Sequence, residues 1–278
     1  MARRSIAGLR SIVTGASSGI GRALVVELIR GGASVVGFAR REERLKELEA
    51  EVAAPERFAS IAGDVTSKGD RAAAIDLCCQ RFGGLDCLVN NAGFGALGPF
   101  AEADEARLRQ VFEVNFFAAA ELLREALPHL HQGKLPIIVN VGSVLGHFAV
   151  PGKSEYCASK FALHGLSDAL RIELAREGID LLLVSPSTTS SEFFEVAGRS
   201  RLPGGTLNDN RSSHGKSRSG SASQTYSGAM TPESVARRIV RAIHLGRREI
   251  ILSAGGNLLV WLDRLCPPLA QWIISRWL

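Results

Sequence analysis

The chain has 278 residues, 46% hydrophobic and 22% charged, which excludes a disordered or fibrous protein and supplies a full core. Aromatics are only 6%, so that core should be mainly aliphatic, as in a parallel sheet buried on both faces. The net charge of +5 does not signal nucleic acid: residues 197–228 alone hold Arg199, Arg201, Arg211, Lys216 and Arg218 against Asp209, which leaves the rest near neutral.

In chain order, short apolar runs alternate with amphipathic stretches. The runs 11–14, 34–38, 58–62, 87–90, 137–141, 179–185 and 249–252 read as strands. The stretches 21–30, 42–54, 70–82, 105–130, 155–177 and 232–245 read as helices. This alternation predicts an α/β fold: one Rossmann-like domain over 1–256, a doubly wound parallel sheet of about seven strands with helices on both faces. An apolar helical extension, 257–278, follows it. The first glycine-rich turn begins at Gly15, leaving no space before it for a signal peptide's apolar segment. Five cysteines (Cys78, Cys79, Cys87, Cys157, Cys266) form no C-x-x-C pair, so neither a disulfide framework nor a metal site is expected, and a cytoplasmic location is.

The first predicted strand runs into Thr14-Gly15-Ala16-Ser17-Ser18-Gly19-Ile20-Gly21 and then directly into a helix. Glycines in such a turn let backbone N–H groups approach a pyrophosphate at the helix N-terminus. The spacing is G-x-x-x-G-x-G rather than G-x-G-x-x-G, so the turn alone does not name the ligand. The second strand ends in Ala39-Arg40-Arg41, with no acid before Glu42. An acid there would hold a ribose 2′-hydroxyl, whereas two guanidinium groups suit a 2′-phosphate. The expected cofactor is NADP(H).

Tyr156-Cys157-Ala158-Ser159-Lys160 falls near the start of the predicted helix 155–177. Residues four apart share a helix face, so the Lys160 ammonium can approach the Tyr156 hydroxyl and lower its pKa from the usual value near 10. Y-x-x-x-K alone is a weak motif. Ser143, however, lies just past the strand 137–141, and Asn90-Asn91-Ala92-Gly93 closes the fourth strand at the same carboxyl edge, where open α/β sheets bind ligands. Asn115 lies midway along the following helix.

With these motifs the chain resembles the short-chain dehydrogenase/reductase family over about residues 8–253. The resemblance implies hydride transfer between NADP(H) and a carbonyl or alcohol. It implies that Gly15, Ser17, Ser18, Gly19, Ile20 and Gly21 surround the cofactor phosphates and that Arg40, with Arg41, meets the 2′-phosphate. Asp64 and Val65 would border the adenine, and Asn91, Ala92 and Gly93 the adenosine side of the cleft. Ser143 would position the carbonyl, Tyr156 would give or take its proton, and Lys160 would hold the nicotinamide ribose and tune Tyr156. Asn115 would anchor a water linking Lys160 to solvent. After the sixth strand the family usually has Pro-Gly, then Thr four residues past that Gly. Here Ser187 replaces the glycine and Ser191 the threonine, so Pro186, Thr189 and Ser191 are expected to make re-aimed nicotinamide contacts.

Residues 197–228, rich in Ser, Gly and Arg, are expected to form a mobile substrate lid. An apolar cleft rim is expected from Phe94, Leu97, Val144, Leu145, Phe148, Phe193 and Phe194; Phe94, Leu145, Phe148 and Phe193 join Ser143 as candidate substrate contacts. The segment 257–278 holds all three tryptophans, yet its longest uncharged run, 265–275, is far short of the about 20 residues a spanning helix needs. Leu258, Trp261, Leu262 and Leu265 form one helical stripe, and Leu269, Trp272, Ile273 and Trp277 a second beyond Pro267-Pro268. With Arg264 and Arg276 this composition fits a membrane interface, or else a face packed on the domain or a second subunit. Rim and tail suit a lipophilic substrate: a steroid, retinoid or lipid ketone. The expected partners are that small molecule, a peripheral membrane surface and further copies in a homo-dimer or tetramer, with no nucleic acid. Two other readings stay open. One is a 3-oxoacyl thioester reductase of fatty-acid synthesis, although such enzymes commonly end soon after the last strand. The other is a non-enzymatic nucleotide sensor of the same fold, which usually has lost the tyrosine or lysine. His147 is expected at the surface, and His164 packed or solvent-facing.

Overall fold

The computed structural model describes residues 3–187 and 229–277. Seven parallel strands form one sheet: β1 (Arg10–Thr14), β2 (Ser34–Ala39), β3 (Phe58–Ala62), β4 (Cys87–Asn90), β5 (Ile137–Val141), β6 (Asp180–Ser185) and β7 (Glu249–Ile251). Their order is β3-β2-β1-β4-β5-β6-β7, so the winding reverses between β1 and β4 and a crevice opens beyond their carboxyl ends. The register sets Thr14 opposite Phe38, and Asn90 opposite Asn140, at that edge.

Successive strand residues point to opposite faces, and both faces are covered. On one, α1 (Gly19–Arg30), α2 (Glu42–Val52) and α7 (Pro232–Leu245) pack on Val13, Val35, Val89, Val139 and Val184. On the other, α3 (Lys68–Phe82), α5 (Ala118–Leu130) and α6 (Ser154–Ala175) pack on Ile12, Val36, Leu88, Ile138 and Leu181. Caps written in the sequence bound several helices. The Ser67 hydroxyl accepts the Asp70 N–H at the start of α3. Thr231 caps α7, Pro232 opens it and Gly246 closes it at φ 60°.

Two elements differ from the sequence reading. The stretch 105–130 is not one α-helix but α4 (Glu105–Phe112), a π-helical turn (Glu113–Phe117) and α5. The wider turn carries the buried Asn115, whose amide bonds loop and helix partners instead of facing solvent. The C-terminal extension begins earlier than 257: α8 spans Ala254–Leu265, with the Ser253 hydroxyl accepting the Gly256 N–H at 2.9 Å, and α9 spans Pro267–Trp277. No described helix is long and apolar enough to cross a membrane. The expected lid 197–228, together with Thr189, Ser191, Phe193 and Phe194, lies outside the described residues.

Candidate active site

The carboxyl ends of β1, β2, β4, β5 and β6 border one cleft of about 670 Å³. Gly15, Ser17, Ser18, Gly19, Ile20, Arg40, Arg41, Asp64 and Val65 line one end. Asn91, Ala92 and Gly93 line its middle. Phe94, Ser143, Val144, Leu145, Phe148, Tyr156, Lys160 and Pro186 line the other end. Gly21, Asn115 and Leu97 are not on the lining; the first two act from behind it.

The glycine-rich turn is built for close approach. Gly15 sits at φ +68° and Gly19 at φ +53°, the left-handed region that glycine occupies without strain. A Cβ on Gly15 would stand 2.8 Å from Asn91 Nδ2, and one on Gly21 would run into the Gly15 carbonyl. A short side chain in β1 ties the turn to β4: Thr14 Oγ1 accepts the N–H groups of Asn91 and Ala92, both at 2.9 Å. Asn91 returns a bond from Nδ2 to the Thr14 carbonyl at 2.8 Å. Side chains close the outer rim. Arg41 donates to the hydroxyls of Ser17 (3.1 Å) and Ser18 (2.6 Å), while Arg40 stands exposed beside it. Asp64 Oδ1 accepts the backbone N–H and the hydroxyl of Thr66, so one of its oxygens is held by its own turn.

At the other end Tyr156 and Lys160 leave one face of α6 and both are buried. Lys160 Nζ donates to the Val141 carbonyl at 2.9 Å and lies 5.8 Å from the centre of the Tyr156 ring. The expected lowering of the Tyr156 pKa by Lys160 is not what this geometry gives. Burial raises the phenol well above its usual value, and a hydrogen bond with the Ser143 side chain offsets this only in part. Burial also pushes Lys160 down to about 8. Tyr156 is therefore protonated and Lys160 still mostly cationic at neutral pH.

Asn115 holds the wall between the two ends. Its Oδ1 accepts the Phe94 N–H, and Nδ2 donates to the Phe94 carbonyl and to Ser159 Oγ, all at 3.0 Å. A Cβ on Gly93 would lie 2.9 Å from Asn115 Oδ1 and 3.7 Å from Lys160 Nζ, so only glycine leaves Asn115 and Lys160 facing each other across it. The start of α6 is steadied by Arg107, whose Nε bonds the buried carboxylate of Glu155 at 3.0 Å.

His147 is not at the surface, where the sequence reading put it, and His164 is packed, one of its two expected settings. His147 turns away from the cleft: its Nε2 is 3.0 Å from Ser185 Oγ and 3.2 Å from Glu249 Oε1, so it bridges β6 and β7. His164 is buried under the loop after β5, where a Cβ on Gly142 or Gly146 would strike its ring. Its Nε2 accepts the Ser143 N–H at 3.4 Å. Burial pushes His164 down to about 3, helped by the charges of His147 and Lys160. Thr14, Ser159 and His164 were missed as supporting residues; only the position of Ser159 inside Tyr156–Lys160 offered a signal. Gln110 and Lys153, also missed, add polar groups beside Phe94, Val144, Leu145 and Phe148.

A family model described as short chain dehydrogenase matches residues 10–201. Among curated relatives, a dehydrogenase/reductase SDR family protein 7-like from Anopheles gambiae is 30% identical over 98% of this chain and 84% of its own. An 11-beta-hydroxysteroid dehydrogenase A from Sesamum indicum is 31% identical over 96% of this chain and 75% of its own. A solved short chain dehydrogenase/reductase from Burkholderia phymatum, in complex with NAD, superposes with a TM-score of 0.82 at 26% identity, covering 96% of both chains. The chain belongs to the short-chain dehydrogenase family. It is an oxidoreductase of the class that interconverts alcohol and carbonyl groups.

Proposed function

We propose that this protein transfers a hydride between NADP(H) and a lipophilic carbonyl or alcohol, with Tyr156 giving or taking the proton. One observation carries the reading: Ser143, Tyr156 and Lys160 converge at one end of a cleft whose other end is rimmed by Arg40 and Arg41. The glycine cradle fits a dinucleotide, because a Cβ on Gly15, Gly21 or Gly93 would fill the path of the chain or collide with its walls. The nicotinamide, when bound, supplies or accepts the hydride. Arg40 presents an exposed guanidinium for a 2′-phosphate, and Arg41 shapes the serine rim beside it.

Ser143 and Tyr156 present two hydroxyls to one substrate oxygen. In reduction that oxygen gains charge as the carbonyl carbon gains hydride, and a protonated, buried Tyr156 delivers a proton to it. Lys160, cationic at neutral pH, then offsets the charge left on the phenolate. Asn115 keeps Phe94 and Ser159 in place behind this pair. Phe94, Val144, Leu145 and Phe148 make the substrate end apolar, which fits a steroid, retinoid or lipid ketone; the sesame relative's name points the same way. Exposed Phe117, Phe161 and Ile172 on the π turn and α6 suit contact with a second copy, so we assign a homo-oligomer.

The test is cofactor oxidation with NADPH and with NADH against steroid, retinal, long-chain ketone, short aldehyde and 3-oxoacyl thioester substrates. Turnover of the lipophilic carbonyls with NADPH is expected. Preference for the thioester would select the fatty-acid reductase reading, preference for NADH would remove the role of Arg40, and tight cofactor binding without turnover on any carbonyl would favour nucleotide sensing.

A further inference from the structure

Helices α8 and α9 have two apolar sides. On the inner side Val260, Ala270 and Ile274 are buried, and Val260 and Ile274 share one packed cluster with Val144, Leu145, Phe148 and Tyr156. The tail thus packs behind the substrate end, and none of its described residues lines the cleft itself. On the outer side stand Leu258, Trp261, Leu265, Leu269 and Trp272, each between 44% and 78% exposed. Five large apolar side chains at i, i+3 and i+7 spacing on adjoining helices form more apolar surface than scattered exposure explains.

The charge around this outer side selects its occupant. The Arg264 guanidinium lies 5.8 Å from the centre of the Trp261 ring, and that of Arg276 lies 4.4 Å from Trp272. Residues 229–278 carry seven arginines against Glu233, Glu249 and Asp263, a net charge of +4. A second copy seated face to face would bring Arg264 and Arg276 toward their own counterparts, with Asp263 the one acid in 257–278 to offset them. An anionic lipid surface accepts both components: leucine and tryptophan enter the acyl boundary, and arginines meet the headgroups. At twelve and eleven residues the helices lie on a bilayer rather than cross it.

We propose that α8 and α9 dock the protein on an anionic membrane surface through Leu258, Trp261, Leu265, Leu269 and Trp272. The layer packed behind the substrate end then rests on the bilayer, which brings the cleft close to a lipophilic substrate held in lipid. This rests on the carbonyl oxidoreductase reading for what enters; docking itself does not, so binding and turnover are measured separately.

All three tryptophans of the chain lie in the tail, so tryptophan fluorescence reports it alone. The full-length protein is titrated with vesicles of phosphatidylcholine, with and without phosphatidylglycerol. A blue shift and quenching by brominated acyl chains are expected with the anionic vesicles, weakening at high salt. The variant carrying Leu258→Glu and Leu265→Glu, both on the outer side, should bind at least about tenfold more weakly while turning over a short aldehyde like the unaltered protein. Unchanged emission with anionic vesicles, or equal binding by the variant, overturns the proposal. So does a dimer that the variant dissociates in the absence of lipid while vesicles bind neither form, since a second copy would then cover this side. Vesicle binding without turnover of any carbonyl would leave docking standing and remove the oxidoreductase reading alone.

Discussion

His164 is expected to make the fold acid-sensitive beneath Ser143, the proposed catalytic serine. Its ring lies under Gly142 and Gly146, Nε2 accepts the Ser143 N–H, and buried Nδ1 has no hydrogen-bond partner among the described residues. A second proton would have to sit on Nε2, facing a donor, in a buried site. Hence the folded pKa is about 3, against 6.5 in an open chain. Between those values the unfolded chain binds more protons than the folded one, so stability is complete above pH 6.5 and falls as pH drops toward 3. Each unit is worth about 1.4 kcal/mol, so acidification from pH 6.5 to 5 removes about 2 kcal/mol through this group and the full window about 5 kcal/mol. His164→Gln keeps an acceptor for the Ser143 N–H but cannot titrate. Urea denaturation of both proteins between pH 7.5 and 5 isolates the effect from the remaining carboxylates and histidines. The wild-type midpoint should fall more steeply than the variant's, with the gap opening below pH 6.5. Parallel curves would refute the assignment of a neutral, acceptor His164 beneath Ser143.

Tyr156→Phe removes the transferable proton but leaves the ring in its packed cluster, so kcat should fall by about 10²–10⁴ with dinucleotide affinity little changed in a binding titration. Arg40→Ala should weaken NADPH about tenfold or more and leave NADH nearly untouched; Arg41→Ala, which also frees the Ser17 and Ser18 hydroxyls, should cost some affinity for both. Fluorescence titration of the four combinations checks the pair. The buried Lys160 ammonium, with its pKa pushed down to about 8, loses its proton as pH rises through that value, so carbonyl reduction should decline above it. Lys160→Met should be slower at neutral pH and lack that limb in a pH–rate profile.

What the sequence determined by itself was whatever local chemistry controls. Alternating apolar runs specify strands buried on both faces; Ser67, Thr231, Pro232 and Gly246 bound their helices through their own dihedrals and hydrogen bonds. The turn at Gly15–Gly21 was legible because only glycine tolerates its backbone, and the Tyr156–Lys160 pair because four residues make one helical turn. Tertiary structure decided the rest. Asn115 needs a π turn whose reason is a loop at Phe94 and a hydroxyl at Ser159, both distant along the chain. Which side of α8 faces the protein was equally hidden: the stripe Leu258, Trp261, Leu265 is the stronger apolar periodicity, yet Val260, off that stripe, is the residue buried against the site. Burial also reversed the expectation for Tyr156, because the cost of an ion at a buried position exceeds the help of a cation nearly 6 Å from its ring. Periodicity reports which faces of an element can be buried; which of them is, and what charge survives there, depends on atoms brought from elsewhere in the chain.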